Sequence, residues 1–268
     1  MFTSMGADAT QRAVSLKVQI IMLSKVLSEQ MELQKNAPPD LQASVESAIQ
    51  EIKQRLDKLS AAYSTISGAT RTYLTPITPA DQALYNTARR DSEIYPKIPY
   101  YIPGTPETGE FWVEPKVSDR GDLIFAFKFV DRDASVEQVR EAIDMSLLEA
   151  EDAQKAFLKL KSWSDVAHEQ KLRKNYEKRV MCVPSDTCSS DGEHVDGKAS
   201  TEVRFNVYED GATAGRIQRN KGRFVEGFNF SVESAMLLQA YLGYVIKEAK
   251  AEYNSGTQDQ HSLDKLFQ

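Results

Sequence analysis

The densest run of chemically capable side chains is GRIQRNKGRFVEGFNF, residues 215–230. Four cations, Arg216, Arg219, Lys221 and Arg223, precede three aromatics, Phe224, Phe228 and Phe230. Cations neutralise phosphate and aromatic faces stack bases, so this pattern is what a single-stranded nucleic-acid site requires. Two details work against that use. On a strand pair, Arg216, Gln218 and Asn220 share one face and Ile217 and Arg219 the other, while Glu226 falls in the aromatic row, where it repels phosphate. The segment KGRFVEGF also lacks the aromatic that directly follows glycine in an RNA-recognition strand. The four cations therefore stand as an anion-binding candidate on a structural hairpin.

Cys182 and Cys188 supply the second piece of chemistry, in RVMCVPSDTCSSDGEH. Pro184 and the Ser-Asp pair turn the chain between them, which lets the sulfurs meet as a disulfide. A disulfide implies an oxidising compartment. Adding His194 gives three ligand types, but neither a tight cysteine knuckle nor a fourth ligand follows, so a zinc site is not expected. Asp131 and Asp133 resemble the start of a calcium loop, but its bend glycine and acidic end ligand are absent at the proper offsets. No nucleophile elbow, zincin helix, P-loop or dinucleotide fingerprint occurs. The three histidines lie in polar segments. The expectation is a protein without cofactor, metal or catalytic site.

Composition bounds the class. The 268 residues are 41% hydrophobic and 27% charged, ordinary for a folded protein with a real core. A net charge of −6 repels nucleic acid and anionic membrane alike, and no run is long and apolar enough to span a bilayer. Ala7-Asp8-Ala9 fits the small-x-small pattern of a signal-peptidase site, although no apolar stretch precedes it.

The elements that would position these groups begin with two helices, 10–36 and 40–68, broken by Pro38-Pro39, with Asp40 as the expected cap of the second. Val45, Ile49, Ile52, Leu56, Leu59, Tyr63 and Ile66 recur in a 4-3-4-3 spacing, a coiled-coil seam of three heptads. Leu16, Ile20, Leu23 and Leu27 match it, and Val18, Ile21, Met22 and Val26 widen the first helix's apolar face. An antiparallel hairpin that also meets a third helix or a second copy is expected. Residues 69–109 form a proline- and tyrosine-rich connector, with a short helix over 79–94 and an extended strap over 95–109.

From 110 to 254 the pattern predicts an α+β domain: a strand hairpin over 111–131, one long helix over 135–180 capped by Ser135 and Gln138, a three-stranded meander over 202–231, and a helix over 232–254. That makes about five antiparallel strands packed by two helices. The tail, 255–268, is expected to be weakly ordered or a docking strip.

This organisation predicts a non-enzymatic periplasmic or secreted protein that binds or scaffolds another protein, or self-associates, through its helical arm. The alternative is a cytoplasmic nucleic-acid-binding or regulatory protein using the basic hairpin 215–224; nucleic acid is the less expected partner.

Overall fold

The computed structural model describes residues 2–68, 77–88, 95–101, 108–118, 121–131, 138–183, 188, 199–221 and 224–266. The chain forms two compact units, residues 1–97 and 98–268.

The first unit is helical. Helices α1 (Phe2–Asn36) and α2 (Pro39–Ser67) are joined by only two residues and pack along each other, as the heptad spacing predicts. Ala7–Ala9 lie within α1. The start of α2 is set by the proline pair. Pro38 is extended, and Pro39 occupies the first turn, where its missing N–H costs no hydrogen bond. Asp40 is therefore already inside the helix and is not its cap. Gly68 closes α2 in the left-handed conformation (φ 67) and donates its N–H to the Ser64 carbonyl at 2.9 Å.

Residues Ile20 to Leu23, with Val18, Val26 and Leu27, are buried in α1, so this helix is covered on more sides than one partner could reach. Part of that cover is a third helix, α3 (Pro79–Ala88). Its Asp81, almost fully buried, meets Lys17 at 3.1 Å, and Lys25 lies 4.2 Å above the Tyr85 ring. Thr78 and Asp81 hydrogen-bond reciprocally to start α3. The helix ends at Ala88; residues 89–94 of the expected helix lie outside the described residues.

The second unit is one antiparallel sheet of eight strands: β1 (Ile98–Tyr101), β2 (Thr108–Val117), β3 (Leu123–Asp131), β4 (Gln138–Ser146), β5 (Tyr176–Val183), β6 (Ala199–Val207), β7 (Thr213–Lys221) and β8 (Phe224–Ser231). Their order is β4-β3-β2-β1-β8-β7-β6-β5. Helices α4 (Leu147–Glu169) and α5 (Val232–Leu266) pack on each other and on one face of the sheet. The mixed α+β class agrees with the sequence; the number of strands does not.

Three strands account for the difference. β1 lies in the expected strap, and β4 and β5 lie where one long helix was expected. In 138–146 the spacing of Val139, Ile143 and Leu147 suits a helix, but Ile143 and Met145 also alternate as a strand does, and both are fully buried opposite Phe127 and Phe125 of β3. Tertiary pairing decides for the strand. The true helix start is a second capping box, Ser146 with Glu149: the Glu149 carboxylate accepts from the Ser146 N–H at 2.8 Å, and the Ser146 hydroxyl accepts from the Glu149 N–H at 3.3 Å. The helix stops at Glu169 because Lys171 turns left-handed (φ 49), and the following polar run becomes β5. At the other end of the unit, α5 runs on through the expected tail to Leu266.

Each half of the sheet is a four-strand meander followed by a helix. The halves match residue for residue over one hairpin. A constant step of 90 positions carries Val113 opposite Phe127 onto Val203 opposite Ile217, and the turn glycine Gly121 (φ 84) onto Gly211 (φ 88). Both turns close alike, Gly121 donating to the Ser118 carbonyl at 2.9 Å and Gly211 to the Tyr208 carbonyl at 3.0 Å. Each helix starts on a serine that ends its meander, Ser146 or Ser231.

The halves meet at short β1, paired to β8 among the described residues at Tyr101 with Asn229. The sheet bends there, so that Phe111 of β2 stacks on Phe228 of β8 at 4.6 Å and Arg219 of β7 reaches the Asp144 carbonyl of β4 at 3.2 Å. The core is the aromatic cluster inside this bend, Phe111, Phe127, Phe157, Phe228 and Phe230, with Tyr241 of α5 donating to the Val113 carbonyl at 2.6 Å.

Candidate functional site

The seam divides into two parts. Val45, Ile49, Ile52 and Leu56 are buried within the chain, at most 3% exposed, whereas Leu59, Tyr63 and Ile66 are half-buried. The first four belong to the molecule's own core; the last three keep part of their surface exposed.

Cys182 and Cys188 are at disulfide distance, with Cα atoms 6.2 Å apart. Cys182 sits on β5 opposite Glu202 of β6, at the border of a polar sheet face.

Strand alternation separates the candidate cations. Arg216 points to the face away from α4 and α5. Arg219 points to the helix face, where its Nη1 donates to Glu149 at 2.8 Å and to the Thr201 hydroxyl at 2.6 Å. Of Lys221 only the backbone, at the end of β7, is described; Arg223 lies outside the described residues. Arg216 and Arg219 therefore do not form one patch. Phe228 and Phe230 belong to the core and offer no stacking platform.

What Arg216 does face is a row of in-register residues across four strands: Arg179 (β5), Arg204 (β6), Arg216 (β7) and Asn229 (β8), continued by Tyr101 (β1). Arg204 donates through Nε to Glu202 and through Nη1 to Glu177, both at 2.7 Å, and Arg179 lies 3.6 Å from Glu202. Partial burial opposes the charge on Arg204, and the two carboxylates outweigh it, holding the guanidinium above its ordinary range. Glu202, Ser200 and Asn220 are fully buried beside the row, and Gln218 donates to Glu202 and Asn220 at 3.3 Å each. The Tyr101 and Tyr208 hydroxyls lie 3.4 Å apart; burial first, then this hydrogen bond, pushes the Tyr101 phenol well above its ordinary value. Arg179, Arg204, Glu177 and Glu202 are absent from the sequence-based candidates. The alternation in TEVRFNV already puts Glu202 and Arg204 on one face, but Arg179 lies in a run whose pattern predicts a helix.

The matching face of the first hairpin is differently equipped. Lys128 and the Trp112 indole both donate to Glu114 at 2.6 Å, and Lys116 pairs with Glu141 and Asp144. Burial alone would lower Lys116, and the two carboxylates raise it above its ordinary value.

An open cavity of about 800 Å³ lies where β3 and β4 meet α4 and α5, lined by Leu123, Leu147, Leu148, Asp122, Lys250 and Tyr253. Lys250 is held by Glu151. His168 is exposed in the last turn of α4, and no group of three or more metal-ligating residues occurs among the described residues. No helix among them is long and apolar enough to cross a membrane. Comparison with protein-family models, curated proteins and solved structures finds no match to this chain.

Proposed function

We propose that the chain is a non-enzymatic binding or scaffolding protein of an extracytoplasmic, oxidising compartment, periplasmic or secreted, and that it associates through the far end of its helical hairpin. The observation that carries the compartment is the Cys182–Cys188 pair at disulfide distance, because such pairs persist where thiols are not kept reduced. Burial supports this choice of contact surface. Leu59, Tyr63 and Ile66 continue a seam whose first half is already covered, and a heptad seam that runs on past its cover is self-complementary to another helix. The apolar lining of the cavity, whose lysine is engaged by Glu151, also suits binding better than proton transfer.

Osmotic-shock fractionation of the native host tests the compartment: recovery with the released extracytoplasmic proteins is expected, and recovery with the cytosol contradicts it. Sedimentation equilibrium tests the surface. Self-association that is lost in the double variant Tyr63→Asp, Ile66→Asp, with the helical content retained, is expected; a strictly monomeric wild type would remove the hairpin from this role.

The cytoplasmic nucleic-acid reading has less geometric support, since Arg216 and Arg219 face opposite sides of the sheet and Phe228 and Phe230 are in the core.

A further inference from the structure

The 90-residue correspondence between the two hairpins isolates one residue. Where β2 and β3 place Glu114 opposite Ala126, β6 and β7 place Arg204 opposite Arg216. Like charges directly opposite one another on neighbouring strands repel, and Arg179 extends the row on the other side of Arg204. Among the described residues, two carboxylates answer three guanidinium groups. Both are engaged by the first two arginines: Glu177 and Glu202 hold Arg204, and Glu202 also faces Arg179. Arg216 has neither. Its Nε is buried with no hydrogen-bond partner among the described residues, although the side chain as a whole is not fully enclosed. A guanidinium N–H removed from water and left unpaired is costly, and an acceptor that reaches the half-exposed end of the same cation offsets that cost.

We propose that Arg216 anchors a binding site for a carboxylate group carried by a ligand. The charge of the row selects the ligand class. Among the described residues the three arginines outnumber the two glutamates that engage them, so the row attracts an anion. Guanidinium geometry selects the group, because its two terminal nitrogens, at the end of a side chain that is only half-buried, present parallel N–H bonds that match the two oxygens of a carboxylate. Asn229, directly opposite on β8, places an amide beside the same spot, and Gly227, on the same face, is exposed and carries no side chain to block approach. Arg219, on the other face and paired with Glu149, takes no part.

The arginine side-chain Nε–H resonances of the isotopically labelled full-length protein test this directly. Sodium acetate, sodium sulfate and sodium chloride are titrated at matched ionic strength. The expected result is one resonance, missing from Arg216→Ala, that shifts saturably with acetate, at a midpoint about tenfold below any effect of sulfate or chloride. Alanine is the residue at the corresponding position of β3, so Arg216→Ala is compatible with this sheet environment. An Arg219→Ala variant keeps the acetate response. A wild-type spectrum in which acetate acts no differently from chloride overturns the proposal, as does an acetate response that survives in Arg216→Ala or a sulfate response stronger than that to acetate. Should Arg216→Ala not fold, Arg216→Lys serves instead: it keeps the charge, loses the paired N–H geometry, and is expected to weaken acetate binding about tenfold.

Discussion

The two halves of the sheet solve the same packing problem with different chemistry. In the first half, Phe111 stands opposite Phe129, and Phe111 is fully buried against Phe127 and Phe228. Ninety positions on, the pair is Thr201 opposite Arg219, closed by Glu149 from the first turn of α4. At this position one half is closed by dispersion and apolar burial, the other by a hydrogen-bonded ion pair. On the opposite face the contrast is one of completeness. The lysines of the first half each have a carboxylate, and the arginine row of the second half does not. The backbone plan accommodates both, so differences in function are to be sought in the second half.

Exchanging residues between the halves tests this contrast. The largest effect is expected from Phe111→Thr, which gives the first half the residue of the second without its Glu149. Loss of the stacked ring leaves a cavity and a buried hydroxyl, lowering stability by about 3–5 kcal/mol in urea unfolding. A loss below about 1 kcal/mol would mean that the cluster is not the core.

In the other direction, Arg219→Phe gives the second half the counterpart of Phe129, strands the Glu149 carboxylate and is expected to cost about 3 kcal/mol. Adding Glu149→Gln keeps a capping side chain and removes the charge, so the double variant should be more stable than Arg219→Phe alone. Strict additivity of the two changes would mean that the residues do not act as a pair.

The smallest effect concerns pH. The Tyr101 phenol is raised in the folded state, so the folded protein holds this proton more tightly than the unfolded chain does. Its contribution is complete below the ordinary tyrosine value, near ~10, and is lost as pH rises beyond it. Tyr101→Phe should therefore flatten the alkaline end of the stability curve and leave the neutral end little changed. An unaltered alkaline slope would show that Tyr101 ionises alike in both states.

The helical hairpin and two strand hairpins were legible because their signals are local. Heptad spacing specifies α1 against α2, and Asp210-Gly211 between alternating segments specifies β6 against β7. β4 was not legible in the same way. Val139, Ile143 and Leu147 satisfy a helical period, and both Ser135 with Gln138 and Ser146 with Glu149 satisfy the capping-box pattern; only β3, a hairpin away, chooses between them. The correspondence between the halves is faint in the sequence, VSDRGD beside VYEDGA and MSLLEA beside FSVESA, in which little beyond the turn glycine and the capping serine is shared. The site suffered most. The alternation that separates Arg216 from Arg219 can be read from the chain, but the row containing Arg216 needs β5, hidden in a polar run with no strand pattern strong enough to outweigh the helix before it.

The central functional claim is that this protein works where thiols oxidise, and the thiol state of Cys182 and Cys188 tests it most directly. Protein in its native host is trapped with an alkylating reagent before lysis, and the peptides spanning 180–200 are weighed by mass spectrometry. The account predicts a joined, unalkylated pair that takes up reagent only after reduction. Two free cysteines, both alkylated in the first step, would contradict it.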